Sequence, residues 1–107
     1  MLNWRRVLDW QFPDVGQSYT TRDSALYALG LGYGHDPLNE EDLRYVFEGH
    51  AQGMRAVPSM SVVLGGPGAW MQDPRTGIDW VRSLHGEQGL VVHAPLAPAA
   101  RVIGRNR

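Results

Sequence analysis

Apolar residues recur at helical spacing near the start of the chain, and this pattern predicts its clearest element. Four of the five residues from Ala25 to Leu29 are apolar, and they fall on one side of a helix. Thr20 with Asp23 three residues later fits a Thr-x-x-Asp capping pattern, and several glycines follow from position 30. The sequence therefore predicts a short amphipathic helix from Thr20 to Leu31.

Two further segments carry mixed signals. Asn39 precedes three consecutive acids, which suit the positive end of a helix dipole, and the aromatic and β-branched Tyr45–Phe47 then predicts a turn into a strand. Met60 to Leu64 is apolar on nearly every side, which is typical of a buried helix. Gly65–Gly68 interrupts this helix and predicts a break or a loop.

The predicted strands are too few to close a sheet. Phe47, Gly89–His93 and Arg101–Ile103 lie on at most three strands, and the last of these runs to the end of the sequence. A buried helix needs a sheet to cover it, and three strands leave edges unpaired. We expect further residues or a partner chain to complete the sheet.

Length and charge restrict the class of protein. A chain of 107 residues is long enough for one small domain. Its net charge of -1 predicts no binding to nucleic acid or to an anionic membrane surface. No apolar run is long enough to cross a bilayer, and the arginines near the N-terminus precede no apolar core, so we expect no signal peptide and a cytoplasmic protein.

The absence of two residue types excludes several chemistries. There is no cysteine, hence no disulfide, thiolate metal site or cysteine nucleophile. All ten basic residues are arginine, so no lysine is present for Schiff-base chemistry. The histidines are scattered at positions 35, 50, 85 and 93 without ligand spacing, and we expect neither a metal nor a cofactor.

Four ordered stretches resemble the N-terminal half of MaoC-like dehydratases and the hydratase 2 domain of multifunctional β-oxidation enzymes. They are Tyr19–Gly30, Leu43–Glu48, Val57–Leu64 and Leu84–Gln88. The resemblance covers roughly residues 3 to 104. It implies an α+β chain with a hot-dog fold, an antiparallel sheet wrapped around a central helix that begins at Met60. Residues 1–107 are then one N-terminal MaoC-like domain, truncated before its last strands.

Members of this family hydrate trans-2-enoyl-CoA to (R)-3-hydroxyacyl-CoA or catalyse the reverse dehydration. In the family the N-terminal half shapes the acyl pocket, and the C-terminal half supplies an Asp and a His at Asp-x-x-x-x-His spacing. No Asp in this chain precedes a His at that spacing. The resemblance therefore implies an acyl-CoA-binding half, dimeric or paired with a second hot-dog half, that is inactive as an isolated chain.

The resemblance also points to individual residues. Glu48 matches a functionally important glutamate, and its aromatic neighbours would suit it to acid-base work; the alternative is an exposed carboxylate before a glycine turn. Pro58, Met60 and Val62 would line an acyl pocket, or they are ordinary core residues. His85 and Gln88 are candidates for organising the acyl-CoA site. The favoured alternative is a structural network that satisfies backbone groups.

Two other functions stay open at this point. The chain could be a non-catalytic structural or interaction subunit, or an inactive fragment of a longer enzyme. Gly65–Gly68 lacks the lysine and the Ser/Thr of a phosphate-binding loop, so a helix break is the better interpretation of that stretch.

Overall fold

The computed structural model describes residues 1–107 and shows a small α+β chain. Three α-helices and two β-strands are present: α1 Trp4–Leu8, β1 Val15–Tyr19, α2 Thr21–Gly30, α3 Glu40–Val46 and β2 Ala100–Gly104. The long stretch between α3 and β2 contains only short 3-10 turns, at Pro58–Val63, Trp70–Gln72, Pro74–Thr76 and Trp80–Arg82. No helix combines the length and apolarity needed to cross a membrane.

Helix α2 confirms the clearest prediction. The Asp23 carboxylate accepts a hydrogen bond from the Thr20 backbone N–H at 2.8 Å and another from its hydroxyl, which satisfies an otherwise unpaired donor at the helix start. The buried face differs from the predicted stripe, because Ser24 and Ala28 are fully buried while Leu26 and Leu29 are more than half exposed.

Helix α3 begins as predicted but runs further. The Asn39 side chain accepts a hydrogen bond from the Asp42 N–H, and the Phe47 N–H closes the last turn on the Leu43 carbonyl at 2.9 Å. The strand expected over Tyr45–Phe47 is therefore wrong. The Tyr45 ring packs 4.7 Å from that of Tyr33, and this tertiary contact outweighs the β-propensity of an aromatic residue.

The two strands form one antiparallel pair. Val15 lies opposite Gly104 and Tyr19 lies opposite Ala100, so the strand predicted at Arg101–Ile103 is confirmed as part of β2. Strand β1 was not predicted, because its sequence Val-Gly-Gln-Ser-Tyr lacks a clear alternation of apolar residues.

The strand predicted at Gly89–His93 is wrong. This stretch has no regular structure, and Val91 is 75% exposed. A strand needs a neighbour for its backbone hydrogen bonds, and the only sheet of the chain pairs β1 with β2.

The predicted buried helix is present only as the 3-10 turn Pro58–Val63. Met60 is buried, but Val62 and Val63 are exposed because no sheet lies over them. The predicted break at Gly65 is confirmed by its φ of +59°. Its N–H donates to the Gln17 side chain at 2.8 Å, and its carbonyl accepts from the Asn106 side chain at 3.1 Å. These two hydrogen bonds connect the break to β1 and to the segment just after β2.

The apolar core is small and the chain is elongated. Five apolar residues are buried: Tyr19, Ala28, Ala56, Val57 and Met60. The radius of gyration is 17.4 Å, whereas a compact domain of this size has a value of about 13 Å. Much of the apolar surface that a closed domain would bury is thus left exposed.

A second, smaller cluster fixes the N-terminal segment. The Trp70 ring packs between the rings of Trp10, at 6.0 Å, and Phe12, at 5.2 Å. Arg75 lies over the Trp10 ring, and its guanidinium makes three hydrogen bonds to the carboxylate of Asp73.

The Asp73–Arg75 pair predicts a specific acid titration. Hydrogen bonds from Arg75 lower the pKa of Asp73 from 3.8 to about 2. Since the folded pKa lies below the ordinary value, the contribution of this pair to stability is complete above pH 3.8 and is lost as the pH falls towards 2. We expect the Asp73 carboxyl resonance in NMR to titrate near 2, and at a higher pH in Arg75→Gln, which loses the side-chain hydrogen bonds but keeps the backbone hydrogen bond from residue 75. Identical midpoints in the two proteins would contradict the pairing.

Candidate functional site

The candidate site is a cleft between the Pro58–Val63 turn and the C-terminal part of the chain. Its volume is about 340 Å³. We call it the acyl cleft, after the ligand that the family resemblance implies; it is lined by Tyr45, Arg55, Ala56, Pro58 and the stretch Val92–Leu96. Five of its nine lining residues are hydrophobic, so it offers an apolar wall with a few polar groups.

The polar groups of the acyl cleft have a cationic character. Arg55 and His93 both line it, and no acidic residue does. The three ion pairs of the chain involve other arginines, so the Arg55 guanidinium has no carboxylate within 4.0 Å. An unpaired arginine beside an apolar wall suits a ligand that carries an anionic group and an aliphatic chain.

Two buried hydroxyl groups hold one wall of the acyl cleft. The Tyr19 hydroxyl donates to the Ala97 carbonyl at 2.5 Å, and the Ser24 hydroxyl donates to the Pro98 carbonyl at 2.7 Å. Tyr19 is 4% exposed and Ser24 is fully buried. Burial raises the pKa of Tyr19 above its usual value, so its hydroxyl remains a donor at neutral pH.

A second cleft of about 340 Å³ has Met60 in its wall. It is lined by residues 17–19 of β1, by Asp23, Leu26 and Tyr27 of α2, and by Met60, Val63 and Leu64. The hydroxyls of Tyr27 and Ser59 are 3.0 Å apart and connect α2 to the Pro58–Val63 turn. The same short turn therefore contributes walls to both clefts.

The structure separates most of the predicted site residues. Pro58 lines the acyl cleft and Met60 lines the second cleft, whereas Val62 is exposed outside both. Glu48 is exposed just after α3, and its expected apolar surroundings are absent.

His85 and Gln88 are also exposed and line neither cleft. The His85 Nε2 atom lies 3.1 Å from the Glu87 carbonyl oxygen, a local backbone contact of the structural kind expected as the alternative.

Sequence reasoning missed several residues of the site. Tyr45, Arg55 and His93 line the acyl cleft without forming any local motif. Tyr19 and Ser24 do lie in the Tyr19–Gly30 stretch that carries the family resemblance, but their partners are 78 and 74 residues away. Such long-range partners are not readable from local spacing.

A comparison with protein families decides the assignment. Residues 17–107 match the sequence model of the MFE-2 hydratase 2 N-terminal domain. The chain belongs to this family. The match includes both clefts, residues 17–19 of β1 and all of β2.

The chain is similar to two proteins named as enoyl-CoA hydratases and to a peroxisomal multifunctional enzyme. Enoyl-CoA hydratase ChsH3 of Mycobacterium tuberculosis is 34% identical over 103 residues, which cover 92% of this chain and 36% of that protein. Peroxisomal multifunctional enzyme type 2 of Mus musculus is 32% identical, over 80% of this chain and 12% of that protein. Enoyl-CoA hydratase 2, peroxisomal, of Arabidopsis thaliana is 28% identical, over 92% and 33% respectively.

The chain thus covers about a third or less of the length of these relatives. No solved structure matches the chain significantly.

Proposed function

We propose that this chain is the acyl-CoA-binding part of an (R)-specific 2-enoyl-CoA hydratase/3-hydroxyacyl-CoA dehydratase. The observation that carries the proposal is the family match over residues 17–107, on a chain that spans at most 36% of the named hydratases. Its fold is an incomplete hot-dog domain, in which the Pro58–Val63 turn starts the central helix. Strands outside residues 1–107 complete the sheet.

The acyl cleft provides the substrate site. Its apolar wall, which includes Pro58, accepts the acyl chain, and Arg55 with His93 interacts with the phosphates of CoA. Met60 is buried in the same turn as Pro58 and contributes to the site by holding that turn in the core. No resident cofactor is needed, because hydration requires only a base, an acid and donors for the developing enolate oxygen.

A complementary half supplies the Asp/His dyad. That half covers four candidate residues that are exposed in this chain: Glu48, Val62, His85 and Gln88. Contact with the second half would place Glu48 in an apolar environment. The stretch from Val81 to Val92 supports this arrangement, since it is exposed throughout and carries Leu84, which is 93% exposed. A continuous stretch with several exposed apolar side chains is typical of an interface.

The half that carries the dyad is a second hot-dog half that differs from this chain, because another copy of this chain would lack the dyad as well. The chain acts as a homodimer or as a heteromer with that half, in the cytoplasm. A second candidate function is a non-catalytic structural subunit. The absence of any Asp-x-x-x-x-His pattern favours it, because a chain without this pattern would contribute an interaction surface but no catalytic pair. Such a subunit would bind its partner but not acyl-CoA.

Binding of crotonyl-CoA tests the proposal. We expect isothermal titration calorimetry to show binding that CoA competes for, and Arg55→Ala to raise the Kd roughly tenfold at low salt through loss of a charge-assisted hydrogen bond. Arg22→Ala is the matched control, because Arg22 is exposed on α2, has no ion pair and lines neither cleft. Equal Kd values for the two variants would argue against the acyl cleft. No binding by the wild-type chain would favour the structural subunit.

A further inference from the structure

We propose that Tyr19 and Ser24 are positioning residues that set the width of the acyl cleft by anchoring residues 94–99. We call residues 94–99 the wall turn. This inference rests on the proposed function, since it gives these two hydroxyls a part in selecting the acyl chain. Neither residue lines the acyl cleft, so both act through the wall turn.

The anchoring geometry is specific. Tyr19 ends β1 and Ser24 lies in the first turns of α2, so one rigid corner of the fold presents both hydroxyls. They donate to two adjacent carbonyls, Ala97 at 2.5 Å and Pro98 at 2.7 Å. Two neighbouring acceptors held by two buried donors fix the orientation of the turn as well as its position.

No other hydrogen bond holds the wall turn. None of its backbone groups bonds to another backbone group, and the bonds from Tyr19 and Ser24 are its only side-chain bonds. Pro95 and Pro98 restrict φ, which stiffens the turn, but they have no N–H with which to attach it to the fold. Attachment therefore depends on donors from elsewhere in the chain.

The wall turn reaches the ligand site directly. Ala94, Pro95 and Leu96 line the acyl cleft, immediately before the two anchored carbonyls. A small shift of the carbonyls therefore moves the apolar wall against which an acyl chain would pack. Arg55 and His93 lie outside the anchored carbonyl pair, so their place beside the proposed CoA phosphates does not depend on the two anchoring bonds.

Because the anchored wall is separate from Arg55 and His93, we expect loss of an anchor to weaken binding of the acyl chain but not of CoA. Tyr19→Phe and Ser24→Ala each remove one hydroxyl and leave the rest of the side chain in place. We expect each variant to raise the Kd for crotonyl-CoA and for a long-chain acyl-CoA roughly twofold to tenfold, as loss of one hydrogen bond allows. The Kd for CoA without an acyl group should stay unchanged.

Tyr33→Phe is the matched control, since the Tyr33 hydroxyl makes no hydrogen bond and its ring packs on Tyr45 of the same cleft. It should leave all three Kd values unchanged. A purely structural role for Tyr19 or Ser24 would weaken acyl-CoA and CoA binding in parallel, in proportion to the unfolded fraction, and that result would overturn the proposal.

A second readout does not depend on any ligand. The heteronuclear NOE of the Ala97 and Ala99 amides reports fast motion of the wall turn, and it should fall in Tyr19→Phe and Ser24→Ala but not in Tyr33→Phe. Unchanged values in both variants would overturn the anchoring role. If wild-type protein binds no crotonyl-CoA, the proposed function fails, and the NOE values then decide the anchoring separately. If one of the two variants does not fold, the other carries the test.

Discussion

The purified 107-residue chain is expected to hydrate crotonyl-CoA no faster than buffer, and hydration is expected only when a chain with the Asp/His pair is added. General acid-base catalysis contributes roughly 10²–10⁴-fold to such reactions, and stabilisation of the developing oxyanion contributes roughly a further 10²–10³-fold. This chain has no Asp-x-x-x-x-His pattern, and its candidate carboxylate Glu48 lies in solvent. Loss of the conjugated-thioester absorbance measures the reaction directly.

The complementing chain can be sought in the neighbouring reading frame, which should encode the missing strands and the dyad. A variant of that chain with the dyad Asp changed to Asn is the matched control, because it should bind equally well without restoring turnover. Rapid hydration by the 107-residue chain alone would refute the assignment of the chemistry to another half. Light scattering on the mixture would show whether the partner binds at all.

Gly104→Ala is expected to cause the largest loss of stability of any single methyl addition to the sheet. A Cβ at Gly104 would overlap the Gly65 carbonyl oxygen, and the atoms nearest to it are all Gly65 backbone, which cannot rotate away. Forcing an extra methyl into a packed site costs about 1–3 kcal/mol. The chain buries only eight residues, so a loss of that size is a large part of its free energy of unfolding.

Urea unfolding followed by circular dichroism measures the effect. Gly66→Ala is the control, since a Cβ there meets nothing within 4 Å and its φ is not in the left-handed region. An equal free energy of unfolding for Gly104→Ala and Gly66→Ala would show that Gly65 and Gly104 do not approach each other in solution. The break at Gly65 would then have no role in joining the turn to the sheet.

Local signals predicted part of this fold well. The capping pair Thr20 and Asp23 identified α2, Asn39 marked the start of α3, and the β-branched run at Arg101–Ile103 identified β2. Each of these depends on groups within a few residues of one another. Strand β1 was missed because Gly16 and Ser18 obscure its pattern, and it is a strand only because β2 lies beside it.

The candidate site was less accessible to sequence reasoning. Pro58 and Met60 were correctly placed on one short segment, but the segment divides two clefts instead of facing one. Arg55 and His93 became candidates only when the fold brought them to the same cleft. The roles of Glu48, His85 and Gln88 stay predictions, because all three side chains are exposed to solvent in this structure.

By itself, the sequence determined the family, the helix caps, the glycine break and the absence of any Asp-x-x-x-x-His pattern. All of these depend only on residue type and on short spacing along the chain. Only the tertiary structure decided which face of α2 is buried, where the clefts lie and how Tyr19 and Ser24 reach Ala97 and Pro98. The physical reason is distance along the chain: a hydrogen bond between residues 78 positions apart leaves no local pattern. It forms only because antiparallel pairing of β1 with β2 brings the two ends of the chain together.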